Sequence, residues 1–148
     1  MRAMTDKPIA IASDHAGYEL KSVLVKELEA SGYSVLDLGT YGPASVDYPD
    51  FGVALAQVIE MGKADRGVLV CGSGIGISIA ANRNPAVRAA LCHDETTARL
   101  AREHNDANVL ALGERTTGVE VAKQCLRIFL TTDFAGGERH ERRVAKLG

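Results

Sequence analysis

The sequence predicts an α/β sandwich built on a five-stranded parallel sheet. Three observations carry this. Five short apolar runs alternate with stretches of helical periodicity, the turns between them are short, and no repeat, low-complexity segment or interdomain linker interrupts the pattern. Right-handed crossovers would then place helices on both faces of the sheet.

In chain order, "PIAIAS" at Pro8 to Ser13 is a β-branched, apolar strand that ends in the turn "DHAG". The helix after it sets Leu20, Val23, Leu24 and Leu28 on one stripe. "YSVLDLG" follows Gly32 as the second strand, and the polar loop "TYGPASVDYPD" leads to a helix around Val53 to Met61. "RGVLVC" is the third strand, a glycine loop follows it, and "ISIAANR" reads as a helix. "VRAALC" is the fourth strand and "DETTARLAREH" a helix that Asp94 would cap. "ANVLALG" is the fifth strand, and "TTGVEVAKQCLRIFL" a long helix whose Thr117 and Glu120 have capping-box spacing. From about residue 133 the tail "DFAGGERHERRVAKLG" is polar and basic.

The bulk numbers bound the function. At 148 residues one domain with one core is expected, and a formal charge of -2 lacks the basic excess that nucleic-acid binding needs. No apolar run approaches the roughly 20 residues that span a bilayer, and "MRAMTDKP" lacks a leader's apolar core. A cytoplasmic protein is therefore expected, with Met1 or Met4 as its natural start. The three cysteines, Cys71, Cys92 and Cys125, are odd in number and form no CxxC pair, against both a disulfide framework and a zinc site. Asp14, His15, Asp47 and His104 are ligand types without ligand spacing, so no metal is expected.

In parallel sheets, ligands sit beyond the carboxyl ends of the strands where strand order reverses. In the common five-stranded order that point lies between the first and third strands, which here end in "SDHAG" and "VCGSGIG". Gly72, Gly74 and Gly76 give G-x-G-x-G; Ile77 stands where a dinucleotide loop wants its last glycine, and no P-loop lysine is present. What remains is a glycine loop opening a helix, whose free N–H groups suit an anion or oxyanion. Cys71 lies at its lip. A thiol of ordinary pKa about 8.5 is a few per cent ionised at neutral pH, and a neighbouring helix N-terminus favours the thiolate. Attack, redox chemistry and proton abstraction all use that thiolate, and redox has the least support because no resolving cysteine is near. Cys92 and Cys125, set in apolar patterns, read as buried hydrophobes. His93 reads as structural or merely solvated. His15 and Asp14 would face the glycine loop, with turn initiation as the alternative role of Asp14, and His104 follows a helix whose end it also suits as a cap. His140 with Arg139, Arg142 and Arg143 reads either as a solvated face or as a phosphate clamp.

Taken together, "ASDHAG", "DYPDF", "CGSGIGISIAANR", "REHNDANVLALGER" and "GGERHERRV" closely resemble the type B ribose-5-phosphate isomerases and their allose- and galactose-6-phosphate relatives, in family order over nearly the whole chain. The resemblance implies a Rossmann-like three-layer α/β sandwich, a homodimer or dimer of dimers with active sites shared between subunits, and no metal or organic cofactor. It implies an intramolecular oxidoreductase of the non-oxidative pentose phosphate pathway, with a small sugar phosphate as its partner and neither nucleic acid nor membrane. Cys71 is similar to the base that moves a proton between C2 of ribose 5-phosphate and C1 of ribulose 5-phosphate. A second subgroup carries glutamate there. Ser73 matches a hydroxyl that shuttles protons between the substrate oxygens, and Gly72, Gly74, Ile75 and Gly76 match the loop that holds the enediolate. His104 matches the ring-opening acid/base, with Asn105 beside it. Asp14, His15 and Tyr48 match substrate contacts; Arg115, Arg139, His140 and Arg143 match the phosphate set. Glu138 stands where many relatives place an arginine, and Arg142 is an alternative to Arg143. The rival readings are an isomerase of a six-carbon sugar phosphate and, outside enzymes, a non-catalytic sugar-phosphate binding module.

Overall fold

The computed structural model describes residues 7–148. The leader and start-site expectations fall on residues 1–6, outside the described residues. Five parallel strands, β1 (Ile9–Ser13), β2 (Val35–Asp37), β3 (Arg66–Cys71), β4 (Ala89–Leu91) and β5 (Val109–Gly113), lie in the order β2-β1-β3-β5-β4. The helices are α1 (Tyr18–Ala30), α2 (Tyr48–Glu60), α3 (Ile75–Asn82), α4 (Glu95–Asn105), α5 (Val119–Thr131) and α6 (Glu138–Leu147).

Handedness assigns the helices to faces. The moves β1 to β2 and β4 to β5 run one way along the sheet and the moves β2 to β3 and β3 to β4 the other, so right-handed crossovers must put α1 and α4 on one face and α2 and α3 on the opposite one. The core divides accordingly. Leu24, Ala98 and Phe129 pack with Ile11, Val70 and Leu112 on the first face. Leu55 and Ile77 pack with Ala12, Leu69, Cys71 and Ala111 on the second. Strand alternation therefore turns Cys71 toward α2 and α3.

The expected neighbours β1 and β3 are adjacent, in register from Ile9↔Arg66 to Ser13↔Val70. The other flank differs from the common order: β5, not β4, pairs with β3, with Cys71 opposite Gly113. Burial explains it, since β5 is buried throughout while β4 is short, half-buried and fit for an edge.

Several local expectations are corrected. Helix α2 begins at Tyr48, well before Val53, because Pro49 in its first turn has its φ already set for a helix. Helix α3 opens at Ile75 rather than Ile77. The α5 capping box does not form: Gly118 is the N-cap, no side chain caps the helix, and the buried Thr117 Oγ1 has no hydrogen-bond partner. Half-buried Val23 yields its place in the α1 stripe to Lys21, 2% exposed and bonded to Asp37 at 2.7 Å. The tail contains α6, a helix with no buried residue. Asp94 does cap α4, accepting from the Thr97 N–H at 2.7 Å, and that bond holds its carboxyl below the usual carboxylate range.

Cys92 and Cys125 are the buried hydrophobes expected, and burial pushes both thiols above the ordinary thiol value, up to about 11. Above pH 9 the unfolded chain releases these protons while the folded chain keeps them until about 11, so stability falls across that window. Urea midpoints measured from pH 8 to 11 should show a smaller alkaline loss in Cys92→Ala/Cys125→Ala than in the parent.

Candidate active site

The carboxyl ends of β1, β3 and β5 open into a cleft of about 640 Å³ lined by Asp14, His15, Tyr48, Cys71 to Ser73, Ile75, Gly76 and Arg115. Each strand contributes by where it stops. After β1 the chain turns through a 3-10 turn (His15–Gly17), which Asp14 caps by accepting from the Gly17 N–H at 3.0 Å. Asp14, 5% exposed, has its second carboxylate oxygen left for the cleft. His15 Nδ1 accepts from the Val46 N–H at 3.1 Å. That bond makes Nδ1 the acceptor, so the neutral ring carries its proton on Nε2 and offers it as a donor. No sequence signal identified Val46.

At the end of β3, the Cys71 Sγ accepts from the Gly74 N–H at 3.1 Å, at the mouth of α3. Gly74 adopts φ 78°, and a Cβ there would lie 2.9 Å from the Leu112 carbonyl carbon, so geometry and space both demand glycine. The Ser73 hydroxyl accepts from the Ile75 N–H at 3.2 Å, leaving its own proton to donate. A Cβ on Gly76 would overlap the Tyr48 ring, so this glycine lets Tyr48 lie against the first turn of α3. An acceptor sulfur, a helix N-terminus and a hydroxyl thus converge where negative charge can be made and held. Gly74→Ala is expected to lower Tm by several degrees and kcat/KM by about 100-fold, read by thermal melts and initial rates.

Arg115 enters the cleft because β5 neighbours β3. Its N–H donates to the Gly72 carbonyl at 2.9 Å, and its guanidinium lies against the bare face of Gly72. Among the described residues Arg115 has no ion pair. Ala16, Ile79 and Thr116 also line the cleft and were not anticipated. For Ile79 the signal was present, four residues after Ile75 on one helical face.

The remaining expected residues lie elsewhere in the chain. His104 and Asn105 end α4, which runs back toward the amino ends of the strands; Arg88, just before β4, donates to the Asn105 carbonyl at 3.1 Å. The length of β3, about 16 Å, separates that end of the sheet from Cys71. His140 on α6 stacks on His104, ring centroids 4.6 Å apart and planes 10° from parallel. Arg139, Arg142 and Arg143 occupy the exposed face of the same helix, with Arg142 3.7 Å from Glu138. The chain therefore gathers one set at the carboxyl end of the sheet and a second, His104, Asn105, Arg139, His140 and Arg143, at the other end. Asp14 and His15 are likewise far from His104, and among the described residues no three His, Cys, Asp or Glu side chains converge as a metal site. No helix of the described residues is long and apolar enough to cross a membrane.

Known proteins resemble this chain over nearly its whole length. The chain is 43% identical to ribose-5-phosphate isomerase B of Escherichia coli over 141 residues, covering 95% of this chain and 94% of that one. It is 43% identical to D-erythrulose-4-phosphate isomerase of Pectobacterium atrosepticum, covering 95% and 92%. The solved structure of Clostridium thermocellum ribose-5-phosphate isomerase B superposes with a TM-score of 0.93 at 51% identity, over 95% of each chain. The family model described as Ribose/Galactose Isomerase matches residues 9–147, from the first residue of β1 to the last of α6. That match spans all five strands and six helices, and the chain belongs to the ribose/galactose isomerase family.

Proposed function

We propose that the chain interconverts ribose 5-phosphate and ribulose 5-phosphate by proton transfer through a cis-enediolate. The observation that carries this is Cys71: a sulfur at a cleft, with an N–H donor 3.1 Å away and a helix N-terminus beside it. In the aldose-to-ketose direction the Cys71 thiolate takes the proton from C2, and the electrons of that C–H bond form the C1–C2 double bond. O1 gains a proton, O2 loses one, and the thiol, whose proton exchanges with solvent at the open cleft, protonates C1. Ser73 carries the proton between the two oxygens, and the free N–H groups of the Gly72–Gly76 loop hold the enediolate. Asp14, His15 and Tyr48 hold the sugar, and Arg115 takes the phosphate at the nonreacting end, which aligns the carbon centre.

His104, with Asn105 beside it, opens the furanose, taking the proton of the O1 hydroxyl and giving one to the ring oxygen. Because His104, Arg139 and Arg143 lie at the other end of the sheet, they serve the Cys71 cleft of a second copy. The working unit is then a homodimer, alone or paired, with shared sites. Exposed Tyr48, Ile75 and Ile79 at the cleft rim support this, as apolar surface for the second copy to cover. His140 stacks on His104 and assists it more directly than it assists the phosphate. One domain carries the whole activity, as a cytoplasmic step of the non-oxidative pentose phosphate pathway.

The test is ribose 5-phosphate in deuterated water. Ribulose 5-phosphate carrying solvent deuterium at C1 is expected; turnover without any exchange overturns the enediolate, and ligand binding without turnover favours a binding module. The four-carbon substrate in the name of the Pectobacterium relative makes chain length the open variable, and kcat/KM across four-, five- and six-carbon sugar phosphates ranks them.

A further inference from the structure

We infer that Glu114 is a positioning residue: docked on the first turn of α1, it braces the Asp14–His15 loop against the Arg115 loop and so aims Arg115 at the substrate's phosphate. The inference rests on the reading of Arg115 as a phosphate ligand. Helix α1 starts after Gly17 with no side chain of its own as a cap. The Glu114 Oε1, 94 residues away in sequence, accepts from the Leu20 N–H at 2.7 Å and supplies that cap, with a negative charge that suits the helix N-terminus.

The span matters more than the cap. Strand β3 lies between β1 and β5, so a side chain reaching from the end of β5 to the start of α1 crosses behind the end of β3, where Cys71 sits. The same segment is bonded to that strand end: the Glu114 N–H donates to the Cys71 carbonyl at 3.0 Å and the Arg115 N–H to the Gly72 carbonyl at 2.9 Å. Successive side chains then diverge. Glu114 goes to α1, and Arg115 lies over Gly72, its Nη1 3.4 Å from where a Cβ on that glycine would be. With its carboxylate committed to α1, Glu114 does not neutralise the guanidinium beside it. Removing the carboxylate leaves both main-chain bonds, so the fold survives while Arg115 loses the brace that fixes its aim.

The experiment compares Glu114→Ala, Glu114→Gln and Arg115→Ala in the full chain, reading kcat, KM for ribose 5-phosphate, competitive inhibition by inorganic phosphate, and Tm. Glu114→Ala is expected to raise KM and the phosphate inhibition constant together by about fivefold, with kcat changed less than about twofold. Glu114→Gln, whose side-chain oxygen still accepts from Leu20, should stay near the parent. A Glu114→Ala variant with lower Tm but unchanged phosphate inhibition makes Glu114 a cap only and overturns the inference. So does Glu114→Gln as impaired as the alanine variant. Arg115→Ala with unchanged phosphate inhibition overturns instead the reading of Arg115, whatever Glu114 does.

Discussion

Replacing Cys71 by alanine is expected to lower kcat/KM for ribose 5-phosphate by about 10³-fold and to abolish solvent deuterium exchange at C1 of ribulose 5-phosphate. A positioned base contributes its effect at the carbon–hydrogen bond itself, and no other side chain of the cleft replaces it: a carboxylate such as Asp14 is a far weaker base than a thiolate, and the Ser73 hydroxyl is too weak an acid to be ionised. The variant should fold, because Cys71 is a small side chain whose removal leaves β3 paired on both sides. Cys71→Ser sharpens the test. Serine keeps an acceptor for the Gly74 N–H and the shape of the loop, so a serine variant as inactive as alanine assigns the loss to the base rather than to the geometry. Cys92→Ala and Cys125→Ala, neither of which lines the cleft, should retain activity. Full activity in Cys71→Ala removes the thiol from the mechanism.

What the sequence disclosed and what it withheld divide along physical lines. Strand β3 was legible to its last residue because "RGVLVC" is a continuous apolar run bounded by charge on one side and glycine on the other, and that endpoint located the cleft. The place of β5 beside β3 was also encoded, in the unbroken apolar run "VLALG" against the weaker "VRAALC", but periodicity alone reports elements and not their neighbours. Helix α6 escaped because its residues bury nothing within the chain, and the two large apolar side chains at helical spacing in "ERHERRVAKL", Val144 and Leu147, are too few to stand out among its charges. The bonds that orient the cleft, Val46 to His15 and Glu114 to Leu20, join residues 31 and 94 apart, which no local pattern can pair. The site itself was only half assembled by its own sequence. Loop position joined Asp14 to Cys71, whereas His104 fell at the other end of its own sheet, and the second copy proposed to bring it back comes from the family resemblance alone.

That division makes the second large effect a matter of mixing. Cys71→Ala and His104→Ala should each be nearly inactive on ribose 5-phosphate alone, yet a one-to-one mixture allowed to exchange subunits should recover about a quarter of the parent activity. Random pairing makes half of the dimers hybrids. In each hybrid one site combines both lesions, and the other takes its thiol from one subunit and its imidazole from the other, both intact. If His104 served its own chain, every hybrid site would carry one lesion and the mixture would stay inactive. The His104→Ala enzyme should also separate ring opening from proton transfer. The 5-hydroxyl of ribulose 5-phosphate is esterified, so the ketose has no furanose to open, and this variant should still exchange the C1 proton with solvent while failing to convert cyclic ribose 5-phosphate at the parent rate. Loss of both activities in equal measure would assign His104 to the enediolate step, and recovery on mixing would still place that histidine in the partner's cleft.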